Sequence, residues 1–187
     1  MIEIRIHGRG GQGNVVAAYL LAASAIVEGR VAQAFPAFGA ERRGAPVAAF
    51  VRISDTPFRR RCQVLQPKFL IVQDEALLHL PATLEGLQEG GGVLVNSTLD
   101  SAALSGAAGR PVVPFAATRL AVEYLGRPLP NTALLSAFIA LSCILPQDAL
   151  SKALAQRFQG AILEQNLRLV EAAARAVTPG LWEQGHA

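Results

Sequence analysis

The chain has 187 residues, 51% of them hydrophobic and 17% charged, with a formal net charge of +3. At that length one domain buries roughly 70% of the surface its unfolded chain exposes, so it needs no disulfide or metal staple, and its apolar content excludes disorder as the main state. Its longest apolar runs, residues 15–27 and 133–145, fall short of the ~18–20 residues a membrane span requires. Lys68 and Lys152 are the only lysines, so the positive charge is nearly all arginine, which suits buried ion pairs, subunit interfaces and phosphate forks. The basic residues are not interleaved with aromatics, and an excess of three charges is too small for a phosphate-tracking stripe; nucleic acid is excluded as a partner. Two cysteines fit a reducing cytoplasm and cannot supply four thiolates to an iron–sulfur cluster. The opening Met1-Ile2-Glu3-Ile4-Arg5 runs straight into a strand pattern, so no signal peptide and a cytoplasmic location are expected.

Residues 2–7 alternate apolar and polar side chains and run into Gly8-Arg9-Gly10-Gly11-Gln12-Gly13, after which residues 14–28 read as a helix closed by Gly29. This is the opening of a βαβ unit. Residues 31–35 form a second strand, and 36–46 a loop carrying Glu41-Arg42-Arg43-Gly44. Residues 47–53 are strand-like and end at Ser54-Asp55-Thr56-Pro57, a turn signal that predicts a hairpin with residues 58–64. The apolar run 69–73 suits a strand covered on both faces. Residues 75–80 and 83–88 are helical, 93–96 and 111–115 are strands, and helices follow at 118–125, 132–145, 148–158 and 161–177.

Strands alternating with helices, then a helical C-terminal part, predict a single three-layer α/β/α domain. The expected hairpin makes its sheet mixed, mostly parallel. Residues 1–178 form the domain, and 179–187 a polar tail. Helices 15–27 and 133–145 are apolar on nearly every side and must be covered on every side. Two such helices in so small a domain suggest that a partner protein covers part of them.

Gly8, Gly10 and Gly13 match G-x-G-x-x-G between a strand and a helix, the context that gives the pattern meaning. Backbone N–H groups must approach a phosphate closely there, and some positions need positive φ. The bland alternative is a tight strand–helix turn without a ligand. A dinucleotide site would also need an acid about 20 residues on, for the ribose. Residues 31–40 contain none, which disfavours NAD. An NADP-binding Rossmann-type oxidoreductase could use Arg42 or Arg43 instead, and another phosphate-bearing ligand fits equally well.

The opening block, together with Ala34-Phe35-Pro36-Ala37-Phe38-Gly39-Ala40-Glu41-Arg42-Arg43-Gly44-Ala45-Pro46-Val47, resembles the gamma subunit of pyruvate:ferredoxin oxidoreductase. Ile71-Val72-Gln73-Asp74, Pro130-Asn131-Thr132-Ala133 and Arg157-Phe158…Asn166-Leu167 extend the resemblance in order along nearly the whole chain. The glycine loop alone is shared with gamma-type domains for 2-oxoglutarate, 2-oxoisovalerate and indolepyruvate; the Glu-Arg-Arg-Gly-Ala-Pro block is more typical of the pyruvate type. Ser136 departs from the glycine expected in the Asn-Thr block. The resemblance implies a hetero-oligomer of alpha, beta, gamma and delta-type chains that decarboxylates the oxoacid, transfers the acyl group to coenzyme A and passes electrons to ferredoxin. Thiamine diphosphate, Mg and the iron–sulfur clusters belong to the partner subunits in that scheme. The gamma chain contributes to coenzyme A binding and to assembly, and is inactive alone. The cofactor-binding residues it implies are Gly8, Arg9, Gly10, Gly11, Gln12, Gly13, Arg42 and Arg43. No catalytic or metal-binding residue is expected: the sequence has no thiamine signature, no C-x-x-C and no nucleophile–base or paired-carboxylate constellation.

The remaining polar residues have blander readings. Arg59, Arg60 and Arg61 read as a solvated run, Asn96-Ser97 as helix caps, and His7 as a satisfied core group. Cys62 and Cys143 read as unpaired thiols. Trp182 is either an anchor or part of a loose tail.

Overall fold

The computed structural model describes residues 1–37 and 44–183. Six strands form one sheet: β1 (Ile2–Arg9), β2 (Val31–Pro36), β3 (Pro46–Ser54), β4 (Phe69–Val72), β5 (Gly92–Asn96) and β6 (Val113–Phe115), in the order β2-β3-β1-β4-β5-β6. β1, β4, β5 and β6 run parallel, while β3 lies antiparallel to both β1 and β2. The sheet is therefore mixed, as expected, but its hairpin is β2–β3 and not the one predicted with residues 58–64. The reason lies in the side chains opposite each other. In the β1–β3 register Ile4 meets Val51 and Ile6 meets Ala49 on one face, and Glu3 meets Arg52 on the other. Opposite charges and apolar pairs both favour that register.

Among the described residues there are seven α-helices: α1 (Asn14–Val27), α2 (Pro81–Leu84), α3 (Ser101–Ala108), α4 (Ala117–Leu125), α5 (Asn131–Ser142), α6 (Ala149–Arg157) and α7 (Gly160–Arg175), with a 3₁₀ turn at Glu75–His79. Of the predicted helix 83–88 only Thr83 and Leu84 are helical, as the end of α2. Beyond them the chain turns at Gly86, where an added Cβ would collide with the Leu65 carbonyl oxygen. The sequence reading missed α3, a small-residue helix that Asp100 caps by accepting from the Ala103 N–H and that Gly109 ends in the left-handed region.

Strand alternation divides the core in two. Phe69, Ile71 and Leu94 point into the thick layer of α1 and α4–α7; Leu70, Val72, Val93 and Val95 point into a thin layer with Leu77, Leu78 and Leu104. Every residue from Thr132 to Ser142 of α5 is buried by the chain itself, so the partner expected to cover this helix is not required there. Ser136 explains its own presence: its hydroxyl donates to the Val170 carbonyl (2.6 Å) and accepts from Gln147 Nε2 (3.0 Å), tying α5 to α7. On α1, Tyr19 and Ile26 remain half exposed. No helix among the described residues is long and apolar enough to cross a membrane.

Past the predicted boundary at 178, the chain returns to the core. Gly180 and Trp182 donate their N–H groups to the carbonyls of Ala140 and Leu141, and the indole stacks on Phe69 at 5.3 Å. Residues 184–187 lie outside the described part.

Candidate functional site: the glycine-loop crevice

After β1 the chain enters α1 in the thick layer, whereas after β4 it enters the 3₁₀ turn in the thin layer. Neighbouring strands whose connections leave to opposite faces open a crevice at their carboxyl ends, the usual ligand position in such sheets. The glycine loop stands there. Gly11 (φ +94°) and Gly13 (φ +78°) occupy the left-handed region. A Cβ on Gly8 would meet Asn14 Oδ1 at 2.3 Å, and one on Gly13 would meet Asn131 Nδ2 at 2.4 Å. Glycine is thus required at Gly8 for close approach, and at Gly13 for both approach and conformation.

The loop is braced from several sides. Gly10 donates to the Ala45 carbonyl (3.0 Å), Gln12 N–H to the Arg9 carbonyl (3.0 Å), and Arg9 N–H to Gln12 Oε1 (2.7 Å). The Arg9 guanidinium pairs with Asp74 beyond β4 and donates to the Gly44 carbonyl (3.2 Å). Gly44 in turn donates to the Gly10 carbonyl (3.4 Å). The end of the loop between β2 and β3 therefore abuts the glycine loop, although β3 separates β2 from β1. Arg42 and Arg43 lie outside the described residues.

Asn131, the first residue of α5, donates Nδ2 to the Gly13 carbonyl (3.2 Å) and joins the N-termini of α1 and α5. Neither helix has a side-chain cap or an acidic residue in its first turn. Two helix N-termini with unanswered N–H groups suit an anion. Around them sit buried amide atoms without partners: Asn14 Oδ1, Asn131 Oδ1 and both amide atoms of Gln73. Sequence reasoning passed over Asn14, Gln73 and Asn131 as site residues. The available signal was positional: Gln73 is a polar residue ending an otherwise apolar buried strand, and the asparagines begin apolar helices. Further along, Asn96 answers a first-turn N–H of α4, whereas Ser97 closes a turn in the loop before α3, whose cap is Asp100. Asn96 Oδ1 accepts from the Thr118 N–H of α4 (3.1 Å), and Ser97 Oγ accepts from Leu99 N–H (3.0 Å).

His7 is not the satisfied core group expected, because its buried Nε2 has no partner. Burial, and then the Arg5 cation, lower its pKa from 6.5 to about 4. Between those values the unfolded chain binds the extra proton, so the stability that neutral His7 provides is intact above about 6.5 and is lost as pH falls towards 4. His7→Gln should flatten the fall of the urea midpoint across that window, and an unchanged slope would refute this linkage. Cys62 and Cys143 are free, exposed thiols. Among the described residues no cluster of three or more His, Cys, Asp or Glu side chains could hold a metal.

The sheet order excludes the Rossmann alternative, which needs a parallel β2 beside β1. The chain is 44% identical over 173 residues to pyruvate synthase subunit PorC of Methanocaldococcus jannaschii, covering 92% of this chain and 95% of that one. The crystal structure of pyruvate oxidoreductase subunit PORC from Thermotoga maritima superposes with a TM-score of 0.84 at 36% identity, covering 93% and 95% of the two chains. The 2-oxoglutarate:ferredoxin oxidoreductase of Magnetococcus marinus, solved with 2-oxoglutarate, coenzyme A and succinyl-CoA bound, shares the fold (TM-score 0.74, 21% identity); the match covers 96% of this chain and 32% of that longer one. The pattern of the pyruvate ferredoxin/flavodoxin oxidoreductase family matches residues 3–176, and with these likenesses in sequence and fold the chain belongs to that family.

Proposed function

We propose that the chain is the gamma subunit of a cytoplasmic 2-oxoacid:ferredoxin oxidoreductase acting on pyruvate, and that its glycine-loop crevice binds part of coenzyme A. The alpha, beta and delta-type partners hold thiamine diphosphate, Mg and the iron–sulfur clusters, and the complex delivers electrons to ferredoxin. The observation that carries the ligand reading is the pairing of two uncapped helix N-termini across Gly13. The subunit reading rests on family membership and on the names of the relatives. The coenzyme A bound in the Magnetococcus marinus enzyme supports the choice of ligand.

This chain's part is to bind and orient. Glycine-loop and first-turn N–H groups face the phosphates, and Arg9, anchored on Asp74 and Gly44, holds the loop to them. Magnitudes require both contributions. Micromolar affinity corresponds to about 8 kcal/mol, and a helix N-terminus supplies roughly 0.3–1, up to about 2, kcal/mol to an anion. A charge-assisted arginine bond adds on the order of 1.5–3 kcal/mol. Arg42 and Arg43 are proposed as further donors. In the reassembled complex, Arg9→Ala should raise the Michaelis constant for coenzyme A about tenfold or more and leave thiamine-dependent decarboxylation unchanged. A change in the pyruvate constant alone would overturn the assignment of this crevice to coenzyme A.

A further inference from the structure

β2 is the outermost strand on its side of the sheet. The thin layer's apolar cluster reaches β4 and β5 and stops short of it. Every residue of β2 is partly buried, and none is fully enclosed. Along its start runs a groove of about 480 Å³, floored by Val31 and Gln33 and walled by Arg59, Arg60 and Arg61. All three arginines are exposed, and the Arg60 side chain is 57% accessible.

The local charges do not balance. Among the described residues Glu3 is held at 2.7 Å by Arg52, a fully buried guanidinium, and lies 3.9 Å from Arg60. Asp55 is held by Arg30 at 2.8 Å. With those pairs matched, three arginines remain in surplus among the described residues here. The wall is also fixed in place: Arg52 donates to the carbonyls of Arg60 (3.5 Å) and Gln63 (3.3 Å). The segment thus presents its arginines from a backbone anchored to a buried ion pair. In the groove, the buried Oε1 of Gln33 has no partner.

From the free strand, the fixed arginine wall and the orphaned amide together, we infer that this groove docks an extended acidic segment of a partner subunit. Such a segment lies along β2, sets carboxylates against Arg59–Arg61 and offers Gln33 Oε1 a backbone N–H. The inference rests on the gamma-subunit reading, and it concerns a face distinct from the glycine-loop crevice.

The test is assembly of the full chain with its partner subunits, followed by sedimentation across a salt series, for wild type, for Arg59→Ala/Arg60→Ala/Arg61→Ala and for Gln33→Leu. The three arginine side chains removed are exposed and Gln33 is partly buried, and urea midpoints confirm that each variant folds. The triple variant should assemble at least about tenfold more weakly at low salt, with a shallower salt dependence, and the difference should shrink at high salt. A synthetic alternating valine–glutamate peptide should compete with wild-type assembly, and its valine–lysine counterpart should not. Equal assembly and equal salt slopes would overturn the docking inference while leaving the subunit reading intact. A raised Michaelis constant for coenzyme A with normal assembly would also overturn it, assigning the arginines to the ligand instead. Wild-type chain that fails to join its partners at any salt would sink the subunit reading and this inference with it.

Discussion

Gly13→Ala is expected to raise the Michaelis constant for coenzyme A in the reassembled complex by more than an order of magnitude, with the pyruvate constant unchanged. Two effects act together at this position. The left-handed conformation, φ +78°, costs a residue with a Cβ roughly 1–2 kcal/mol. The new methyl would also stand 2.4 Å from Asn131 Nδ2, so the asparagine must leave the Gly13 carbonyl it now binds at 3.2 Å. That bond joins the N-termini of α1 and α5, and its loss moves the two sets of N–H groups apart. Gly11→Ala separates the effects. Its φ is +94°, but a Cβ there meets nothing within 4 Å. It should carry the conformational cost, visible as a lower urea midpoint, with a much smaller change in the coenzyme A constant. Equal kinetic effects from the two substitutions would mean that strain, and not the α1–α5 junction, governs the site.

How much of this was legible in the sequence follows from the range of each interaction. The glycine loop and its flanking strand and helix are local, and they stand where the pattern put them. The strand partners are not local. Residues 47–53 carried a turn signal at Ser54–Pro57, yet that strand found its partners upstream, because Glu3 and Arg52 are complementary only in the β1–β3 register. The same distance hid Asn131, which lies 118 residues from the Gly13 carbonyl it binds. In the sequence Gln73 is the tail of an apolar run, and its place at a strand's carboxyl end acquires meaning only once β1 lies beside it. The apolar helices show the opposite error. Their composition demands cover, but α5 obtains that cover from α1, α4, α7 and the returning C-terminal segment, not from another protein.

Trp182→Ala should be the most destabilising of the substitutions considered, lowering the unfolding free energy by about 3–5 kcal/mol. The indole lies parallel to Phe69 (centroids 5.3 Å apart, planes 22° apart) and 6.1 Å from Phe138, itself fully buried in α5. It also fills the space that a side chain on Gly92 would need, since a Cβ there would lie 2.4 Å from the ring. The ring is partly buried, so removing it opens a gap against β4, β5 and α5 and forfeits these aromatic contacts. It also frees the segment whose N–H groups at Gly180 and Trp182 bond to Ala140 and Leu141. Against a typical total of about 5–15 kcal/mol, such a loss displaces the urea midpoint far beyond experimental error. Trp182 is the chain's single tryptophan, so its emission reports the docking directly. In the wild type the shift of that emission to the red should coincide with the loss of far-ultraviolet ellipticity. Trp182→Phe should recover most of the stability. An emission change at far lower urea than the loss of helix would show that the C-terminal segment detaches on its own and contributes little to the core.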